Sequence, residues 1–521
     1  MRKFALIWIL TLSLSYPTFS QFAEVDWGTA INKEATESFN NILGETSDAF
    51  FVEKHIKTGL LSFDVAIEKY NKETFEKEFS TVVYNSQMYA DKKKTRVMDV
   101  NDVLMLDNKI LMFVSEYDRA SDTYTSYAQK MNLDGLLDGT LIKLDEYKTP
   151  EKSLRGKYEF VKSPDNKNIV LYHKRPFKMY NDEKFKIKKF DQDLNLIWEK
   201  DLAFPYKDKD FNLFSLKVMN DGNCYILARI FLDNEEAREK KNNLEATYYF
   251  KLLSFSDTDT IQESFFKETN IELPKRWITD ISFTTINDEI VCAGFYADKK
   301  DMAVTGTFFM RIEKTTGLIR AQDTEEFSKT FLAEFIGDKK AERGNGLRDF
   351  VLSDIIRRND GGLMLVGEQF FIKTVCYTSS GNTRCNDYYY YNDIIVVNIN
   401  SKGEIEWNAR VPKRSMDSQN GFYLSYALAV KGNQVYFIYN ENQKNLTITD
   451  PRMLKNVNIS SSVAVLAHIN SKGDVSREVL FTSKESQAYL RPKTCKQLNP
   501  NQMIILGVKG KNTQWGKLRF P

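Results

Sequence analysis

The chain has 521 residues, more than one compact core usually contains, so it forms either several domains or one modular ring. It carries 73 Lys and Arg residues against 71 Asp and Glu residues, a formal net charge of +2. This balance produces no long-range field that would draw the protein onto nucleic acid or an anionic membrane, so no nucleic-acid partner is predicted.

Residues 1–20 have the pattern of a secretory signal peptide. Arg2 and Lys3 form the charged start, residues 4–14 the apolar stretch, and residues 18–20 the predicted cleavage site. Without Arg2 and Lys3 the basic residues equal the 71 acidic ones, and the mature chain is neutral. No later segment approaches the roughly 18 consecutive apolar residues that a transmembrane helix needs. We therefore expect an exported protein without a membrane span, located in the periplasm, at the cell surface or in the medium.

Residues 21–49 are predicted to be an N-terminal segment with a short helix. Ile31, Ala35, Phe39 and Ile42 recur at helical spacing within residues 29–46. From residue 50 onwards the pattern changes to short apolar strands and polar turns. We therefore expect a single repeat domain over residues 50–521.

This domain contains seven repeats of four strands, which we label A to D. Their turns are rich in Asn, Asp and Gly, which supply positive φ angles or side-chain hydrogen bonds in tight hairpins. The A–B turns lie at residues 71–73, 132–135, 191–193, 256–259, 314–317, 400–403 and 470–473. The C–D turns lie at residues 107–109, 164–166, 221–223, 287–288, 359–362, 431–433 and 499–501. Because one such sheet cannot bury its faces alone, the repeats predict an all-β, seven-bladed β-propeller of four-stranded antiparallel blades.

The strand patterns indicate how each blade is arranged and how the ring closes. D strands such as residues 110–114 are continuous apolar runs, typical of strands buried on both faces, whereas B strands such as residues 196–200 alternate and fit an outer position. Residues 50–53 precede the first A strand, and residues 515–520 follow the last D strand. We predict that strands from both termini meet in one shared blade and close the ring, which removes an open edge.

Three insertions interrupt the repeats, at residues 84–95, 326–344 and 372–392. The first is a polar loop that contains Lys92, Lys93 and Lys94. The second has apolar residues at helical spacing and predicts a second short helix packed against the ring, with a mobile lid as the alternative. These apolar residues are Phe327, Phe331, Leu332, Phe335 and Ile336. Because loops on a rigid scaffold commonly carry function, we expect binding chiefly at the second and third insertions.

The third insertion contains a cysteine pair and four consecutive tyrosines. Cys376 and Cys385 flank a turn-rich stretch that could bring two antiparallel strand ends within bridging distance, so we predict a disulfide. Cys224, Cys292 and Cys495 are interpreted as small buried hydrophobes. The candidate binding residues are Tyr388, Tyr389, Tyr390, Tyr391 and Asp393, because tyrosine couples a flat apolar face to a polar tip. A purely structural role is the alternative, since a strand points two of the rings to each face.

Segments of three repeats resemble known propeller families. Residues 360–367, 392–397 and 401–407 resemble the repeat of exported bacterial β-propeller proteins of largely unknown role, and residues 469–474 repeat its middle part. Residues 158–170 look like the repeat of Tol-associated propellers. Trp198 and Trp407 are similar in position to tryptophans of quinoprotein propellers, but Glu76 and Arg320 stand near that place in other repeats. These likenesses imply the fold, and no cofactor is predicted.

The sequence contains no recognisable catalytic or metal-binding motif. Only His55, His173 and His468 are present, and none lies in a zinc or catalytic motif. The stretch that begins at Asp191 alternates oxygen ligands, but Leu196 and Leu202 replace the glycine and glutamate of a calcium loop, so we interpret it as a hairpin turn; Asp257 and Asp259 are treated likewise. No catalytic and no metal-ligating residue is therefore predicted.

Two functional hypotheses follow from these observations. The first is a non-enzymatic exported propeller that binds a protein or glycan at the cell envelope through its rim loops. The second is a carbohydrate-active enzyme that uses paired carboxylates in the central funnel, a chemistry that needs no sequence motif. The sequence does not indicate an oligomeric state.

Overall fold

The computed structural model describes residues 23–60, 62–84, 96–175, 181–243, 245–256, 267–379, 382–418 and 421–520. The predicted leader, the basic run at residues 92–94 and both Asp257 and Asp259 lie outside these residues. The described part of the chain forms eight antiparallel sheets. Each sheet is built from strands that follow one another in sequence, except that the last sheet also takes up the N-terminal strands.

The first four sheets occupy the N-terminal half of the chain. They follow two short strands, β1 (Glu24–Trp27) and β2 (Ile31–Asn32). The strands of sheets 1 and 2 are β3 (Glu37–Glu45), β4 (Ala49–Lys57), β5 (Phe63–Asn71), β6 (Lys77–Tyr84), β7 (Arg96–Met105), β8 (Lys109–Asp118), β9 (Thr123–Asn132) and β10 (Leu137–Lys148). The strands of sheets 3 and 4 are β11 (Lys157–Lys162), β12 (Asn168–Lys174), β13 (Asp182–Asp191), β14 (Leu196–Lys207), β15 (Phe211–Val218), β16 (Cys224–Phe231), β17 (Tyr248–Phe255) and β18 (Lys267–Ile271).

The other four sheets occupy the C-terminal half. The strands of sheets 5 and 6 are β19 (Trp277–Ile286), β20 (Glu289–Ala297), β21 (Gly306–Glu313), β22 (Ile319–Glu326), β23 (Phe350–Arg357), β24 (Leu363–Ser379), β25 (Asn382–Ile399), β26 (Ile405–Val411) and β27 (Ser415–Asp417). The strands of sheets 7 and 8 are β28 (Ala427–Lys431), β29 (Gln434–Asn442), β30 (Ser462–Ile469), β31 (Val475–Thr482), β32 (Tyr489–Leu490), β33 (Lys496–Asn499), β34 (Gln502–Lys509) and β35 (Asn512–Arg519), joined in sheet 8 by β1 and β2.

Hydrophobic clusters join these sheets into a closed ring. Each buried cluster in the described part contains residues of two consecutive sheets, and one cluster joins sheet 8 back to sheet 1. In this closing cluster the Trp515 ring of sheet 8 lies 5.3 Å, between centroids, from the rings of both Phe39 and Phe50 of sheet 1. A complete cycle of packed four-stranded sheets is the arrangement of a β-propeller. The predicted all-β architecture is therefore confirmed.

The predicted number of seven blades is wrong, because the described chain forms eight sheets. The error comes from residues 29–46, where the predicted helix is absent and β2 and β3 stand instead. Two β-bulges in β3, after Phe39 and after Ile42, disturb the alternation of a strand. They leave the apolar residues at a spacing that imitates a helix, and β3 supplies the first strand of an additional blade.

The ring is closed by strands from both ends of the described chain, as predicted, but different strands pair. β1 runs antiparallel to β35, with Glu24 opposite Arg519 and Trp27 opposite Gly516. Residues 50–53 lie instead in β4, inside sheet 1. Sheet 8 is therefore the shared blade, and its outer position is taken by the N-terminal strand.

Other local predictions are confirmed. The D strands, such as β8 and β34, are almost wholly buried, whereas B strands such as β22 are exposed. The insertion after residue 326 folds into α2 (Lys329–Ile336) and α3 (Asp338–Glu342), and Phe331 and Leu332 of α2 are buried against the ring. A further helix, α1 (Asn234–Asn242), was not predicted, because its sequence has no apolar stripe and no buried residue.

The order of the strands separates two kinds of connection. The first strands of neighbouring sheets contact one another, as β3 does with β7 and β33, so the first strand of each sheet is the innermost. In an antiparallel meander the turns between first and second strands and between third and fourth strands share one end of the ring. We name this the short-turn end. All other connections, including α1, α2, α3 and the β24–β25 connection, gather at the opposite end, which we name the loop end.

Candidate functional site

The most prominent feature of the loop end is a long hairpin. β24 and β25 have 17 and 18 residues, whereas no other described strand has more than 12. Their inner parts belong to sheet 6, and residues 370–379 and 382–391, which we name the arm, continue past the sheet as paired strands. β27 pairs with β25 only at residues 389–391, so the described arm beyond that point is a two-stranded ribbon.

The predicted disulfide closes the outer part of the arm. Cys376 and Cys385 are direct cross-strand partners, their Cα atoms are 4.0 Å apart, and their sulfurs are bonded. A two-stranded ribbon is at best marginally stable in water, and a crosslink restricts the ways in which it can open. The disulfide therefore keeps the two strands of the arm in register.

The predicted tyrosines alternate between the two faces of the arm. The Tyr390 ring stacks on Phe371 at 4.5 Å on one face, and the Tyr391 ring lies 4.7 Å from Phe370 on the other. Tyr388 shares the face of Tyr390 and hydrogen-bonds Tyr377, a contact that raises the pKa of Tyr377. All four tyrosines are half-buried, while Ile372 and Tyr377 are 51% and 55% exposed. The arm thus presents aromatic and apolar surface to solvent.

Asp393 lies at the base of the arm and is only 3% exposed. Its carboxylate accepts hydrogen bonds from Arg410 at 2.8 Å and from the backbone N–H of Lys413 at 3.1 Å. The Lys413 ammonium, itself fully buried, donates to the Tyr391 carbonyl at 2.7 Å and pairs with Glu368 at 2.7 Å. The structure therefore separates Asp393 from the half-buried tyrosines and places it in a buried ion-pair network that anchors the arm.

Arg410 also connects the arm to the helical insertion. Its guanidinium lies 4.4 Å from the centre of the Phe335 ring and donates to the Glu334 carbonyl of α2. The two insertions singled out from the sequence are thus brought together by one arginine of β26. Arg410, Lys413 and Glu368 were not predicted, because they lie in or beside ordinary repeat strands and carry no local signal.

Two carboxyl groups of adjacent blades, Glu53 of β4 and Asp102 of β7, bear on the enzymatic hypothesis. Glu53 accepts hydrogen bonds from the amides of Asn40 and Asn41 and contacts His55 Nε2 at 2.6 Å. Burial, and to a smaller extent the negative charge of Glu53, raises the pKa of Asp102 on the next blade to about 6. Asp102 and Glu53 come from adjacent blades, and a pair of carboxyl groups is what the enzymatic hypothesis requires.

His173, Asp191 and the two cysteines Cys224 and Cys292 have structural roles. Burial lowers the pKa of His173 to about 4, and the same histidine contacts the Arg155 carbonyl at 2.8 Å. The Asp191 carboxylate accepts hydrogen bonds from the backbone N–H groups of Asp193 and Asn195, which is the predicted hairpin turn. Burial raises the pKa of the Cys224 and Cys292 thiols to about 12, so both behave as apolar core residues.

Two features are absent from the described residues. No group of three or more His, Cys, Asp and Glu side chains is arranged to hold a metal ion in that part of the chain. None of its helices is long and apolar enough to cross a membrane.

Comparison with known proteins yields distant structural likeness only. No protein-family model matches the chain, and no curated protein matches it. The polysaccharide lyase Uly1 is 10% identical, with 81% of this chain and 89% of that chain covered and a TM-score of 0.36. The WD40 domain of SCAP from fission yeast is 9% identical, with 96% of this chain and 99% of that chain covered and a TM-score of 0.36. A PL25 ulvan lyase is 9% identical, with 94% of this chain and 95% of that chain covered and a TM-score of 0.37.

Proposed function

We propose that this protein is an exported, non-enzymatic scaffold that binds a protein or glycan partner through the loop end of its ring. The observation that carries the proposal is the arm, a disulfide-closed ribbon with exposed aromatic residues on a rigid base. Disulfides persist in oxidising compartments, and the Cys376–Cys385 bond therefore supports export.

The composition of the arm supports a role in recognition. Paired aromatic rings on both faces, such as Tyr390 with Phe371, offer flat apolar area with few rotatable bonds. Such side chains dominate binding energy in interfaces of proteins with proteins, and they also stack on sugar rings. Exposed Ile372 and Tyr377 extend this surface beyond the ring.

The base of the arm supports binding by preorganisation. Asp393, Arg410, Lys413 and Glu368 hold the start of the ribbon through buried ion pairs. A surface held in its binding conformation loses less conformational entropy when a partner arrives. A buried ion-pair network of this kind contributes to orientation more than to stability.

The second candidate function is carbohydrate cleavage in the central funnel. It is favoured by one observation, the raised pKa of Asp102 beside the charge of Glu53. In that mechanism Asp102 is the protonated acid and Glu53 the carboxylate. The hydrogen bonds that Glu53 accepts from Asn40, Asn41 and His55 are equally consistent with a structural role.

The proposal is tested by shortening the arm without disturbing its base. Lys373 and Tyr388 are cross-strand partners, so an Asn-Gly turn can replace residues 374–387 between them. A glycan array and a pull-down from an extract of the source cells first identify ligands, and their affinities are then measured for the parent and the shortened protein. We expect the shortened arm to weaken binding about tenfold or more, with an unchanged melting temperature.

The matched control is Met453→Ser, which removes an exposed apolar side chain from the same end of the ring but not from the arm. This variant is expected to bind like the parent. Equal affinities of the parent and the shortened protein would contradict the proposal. Polysaccharide cleavage by the parent that disappears in Asp102→Asn would establish the second function instead.

A further inference from the structure

Arg491, at the loop end of sheet 8, is a buried cation without a polar partner. Only 9% of the residue is exposed, and its Nε atom is buried without a hydrogen bond. Across the described residues, no hydrogen-bond acceptor or carboxylate pairs with its guanidinium, which lies 4.5 Å from the centre of the Phe422 ring. Nearly all buried polar groups in proteins are hydrogen-bonded, so an exception requires an explanation.

The other arginines of the loop end show how a paired guanidinium looks in this protein. Arg410 is bonded to Asp393 at 2.8 Å, and Arg452 to Asp450 at 2.9 Å. Arg229, like Arg491, lies among aromatic rings, but it is only half-buried, and its charge acts on Asp280, where it opposes the burial that raises the pKa of that carboxyl group. Among these arginines of the described loop end, Arg491 is therefore the one whose buried positive charge is least balanced by a carboxylate or a hydrogen-bond acceptor.

A second cation faces Arg491. Burial lowers the pKa of Lys33, and the positive charge of Arg491 lowers it further. The Lys33 ammonium donates to the Glu37 carbonyl at 2.9 Å, and the negative charge of Glu37 offsets only part of the lowering of its pKa. Burial likewise lowers the pKa of Arg491. Two like charges held together in a partly buried place destabilise the empty protein and favour the binding of an anion.

Aromatic side chains lie beside the two cations. We name the group formed by Lys33, Phe422, Tyr423, Tyr489 and Arg491 the Arg491 pocket. The Tyr423 and Tyr489 rings meet edge to face at 6.0 Å, and Phe422 is 45% exposed. An exposed aromatic ring beside a guanidinium can contact the apolar face of a sugar whose acidic substituent pairs with the cation.

The Arg491 pocket adjoins the base of the arm. Lys493 donates a hydrogen bond of 2.8 Å to the Tyr391 hydroxyl, and its ammonium lies 4.2 Å from the centre of that ring. A β-carbon on Gly421, the neighbour of Phe422, would lie 3.4 Å from the same ring. One ligand can therefore contact both the pocket and Tyr391.

We infer that the Arg491 pocket binds the oxyanion of an acidic saccharide, a carboxylate or sulfate group carried on a sugar ring. A guanidinium presents parallel N–H donors that match a carboxylate or sulfate in a bidentate arrangement. The inference deepens the proposed function, on which it rests for the placement of the ligand at the loop end. The pocket itself is defined without reference to the arm.

The test compares Arg491→Met with the parent, using polygalacturonate, dextran sulfate, neutral dextran and sodium sulfate as probes. Methionine keeps an apolar side chain of similar length and removes the charge. We expect the parent to bind both acidic polymers and not neutral dextran, and Arg491→Met to lose about tenfold or more of that affinity. We also expect Arg491→Met to melt at a higher temperature without ligand, because an uncompensated buried charge is gone.

The controls separate the possible reasons for failure. Arg452→Met removes a paired arginine from the same end and should bind like the parent, and Arg491→Lys, which keeps the charge but loses the fork, should bind with intermediate affinity. Equal binding by the parent and Arg491→Met, or equal binding of neutral and acidic polymers, would overturn the inference. Stabilisation by sodium sulfate alone, without polymer binding, would also overturn it as a saccharide site. The shortened-arm protein should still respond to acidic polymers, so failure of the arm and failure of the pocket are distinguishable.

Discussion

The two ends of this ring solve different problems. At the short-turn end the same device recurs, in which an Asn or Asp side chain accepts hydrogen bonds from the backbone N–H groups of its own turn. Asn132, Asp191, Asn400 and Asn470 all do so. At the loop end the connections share no common form and include a ribbon, three helices and several irregular loops. Repetition at one end and variation at the other indicate that the ring is the scaffold and the loop end carries the function.

The short turns also connect neighbouring blades. The Thr81 hydroxyl of sheet 1 donates to the Gly135 carbonyl of sheet 2 at 2.9 Å, and the Thr269 hydroxyl of sheet 4 donates to the Gly317 carbonyl of sheet 5 at 2.7 Å. The Trp407 indole of sheet 6 likewise donates to the Ser471 carbonyl of sheet 7 at 3.0 Å. By contrast, the hydrophobic clusters of the described chain contain no residue of the arm. Changes in the ring should therefore alter stability, and changes in the arm should alter binding.

The largest effect on stability is expected where the ring closes. Trp515→Ala removes a fully buried indole from the interface of sheets 8 and 1 and should cost about 3–5 kcal/mol of unfolding free energy. Leu196→Ala, on the half-exposed outer strand of sheet 3, is the control and should change it by less than about 0.5 kcal/mol. Chemical denaturation measures both. A loss below about 1 kcal/mol for Trp515→Ala would mean that the closing interface is not part of the cooperative fold.

A smaller effect is expected at a short turn. Gly473 has a φ of +88°, and an added β-carbon would lie 2.8 Å from the Trp407 ring of the preceding blade. Gly473→Ala should therefore cost about 2–3 kcal/mol, from backbone strain and the steric clash together. Gly510→Ala at the loop end, with a φ of +63° and no neighbour within 4 Å, tests the strain alone and should cost about 1 kcal/mol. Equal losses would show that the contact between blades contributes nothing.

The smallest effect on the ring is expected from the arm. Replacing Cys376 and Cys385 with serine opens the ribbon but touches no hydrophobic cluster of the ring, so the unfolding free energy should change by less than about 0.5 kcal/mol. The arm should instead be cleaved faster by protease and exchange its amide hydrogens faster. A cooperative loss of ring stability in this double variant would contradict the separation of arm and ring.

Short local patterns predicted much of this structure. Turn residues such as those at 132–135 and 470–473 located hairpins, because tight turns restrict the side chains they accept. The helical spacing of the apolar residues Phe327, Phe331 and Leu332 predicted α2. The turn-rich stretch between Cys376 and Cys385 predicted the disulfide. The predicted number of blades was wrong because β3 was not recognised as a strand. Its two bulges interrupt the alternation of apolar and polar residues, so its apolar residues recur at a spacing that resembles that of a helix.

The candidate site was only partly predictable. Tyr391 was singled out from the sequence, but its neighbours Lys413, Lys493 and Gly421 come from other strands and loops and lie next to it only in the folded ring. Asp393 was chosen for its position beside the tyrosines, yet it is buried on Arg410, because β25 has passed at that point from the arm into sheet 6, beyond a shift in its register with β24.

The amino-acid sequence by itself determined the strands, the turns and the sequence position of the arm, because backbone propensity, turn chemistry and hydrophobic period act over a few residues. Only the tertiary structure decided the number of blades, the strand that closes the ring, and the meeting of Lys33 with Arg491. Those outcomes depend on contacts between residues hundreds of positions apart. Such contacts form only when the eight sheets pack in a cycle, and no local sequence pattern encodes them.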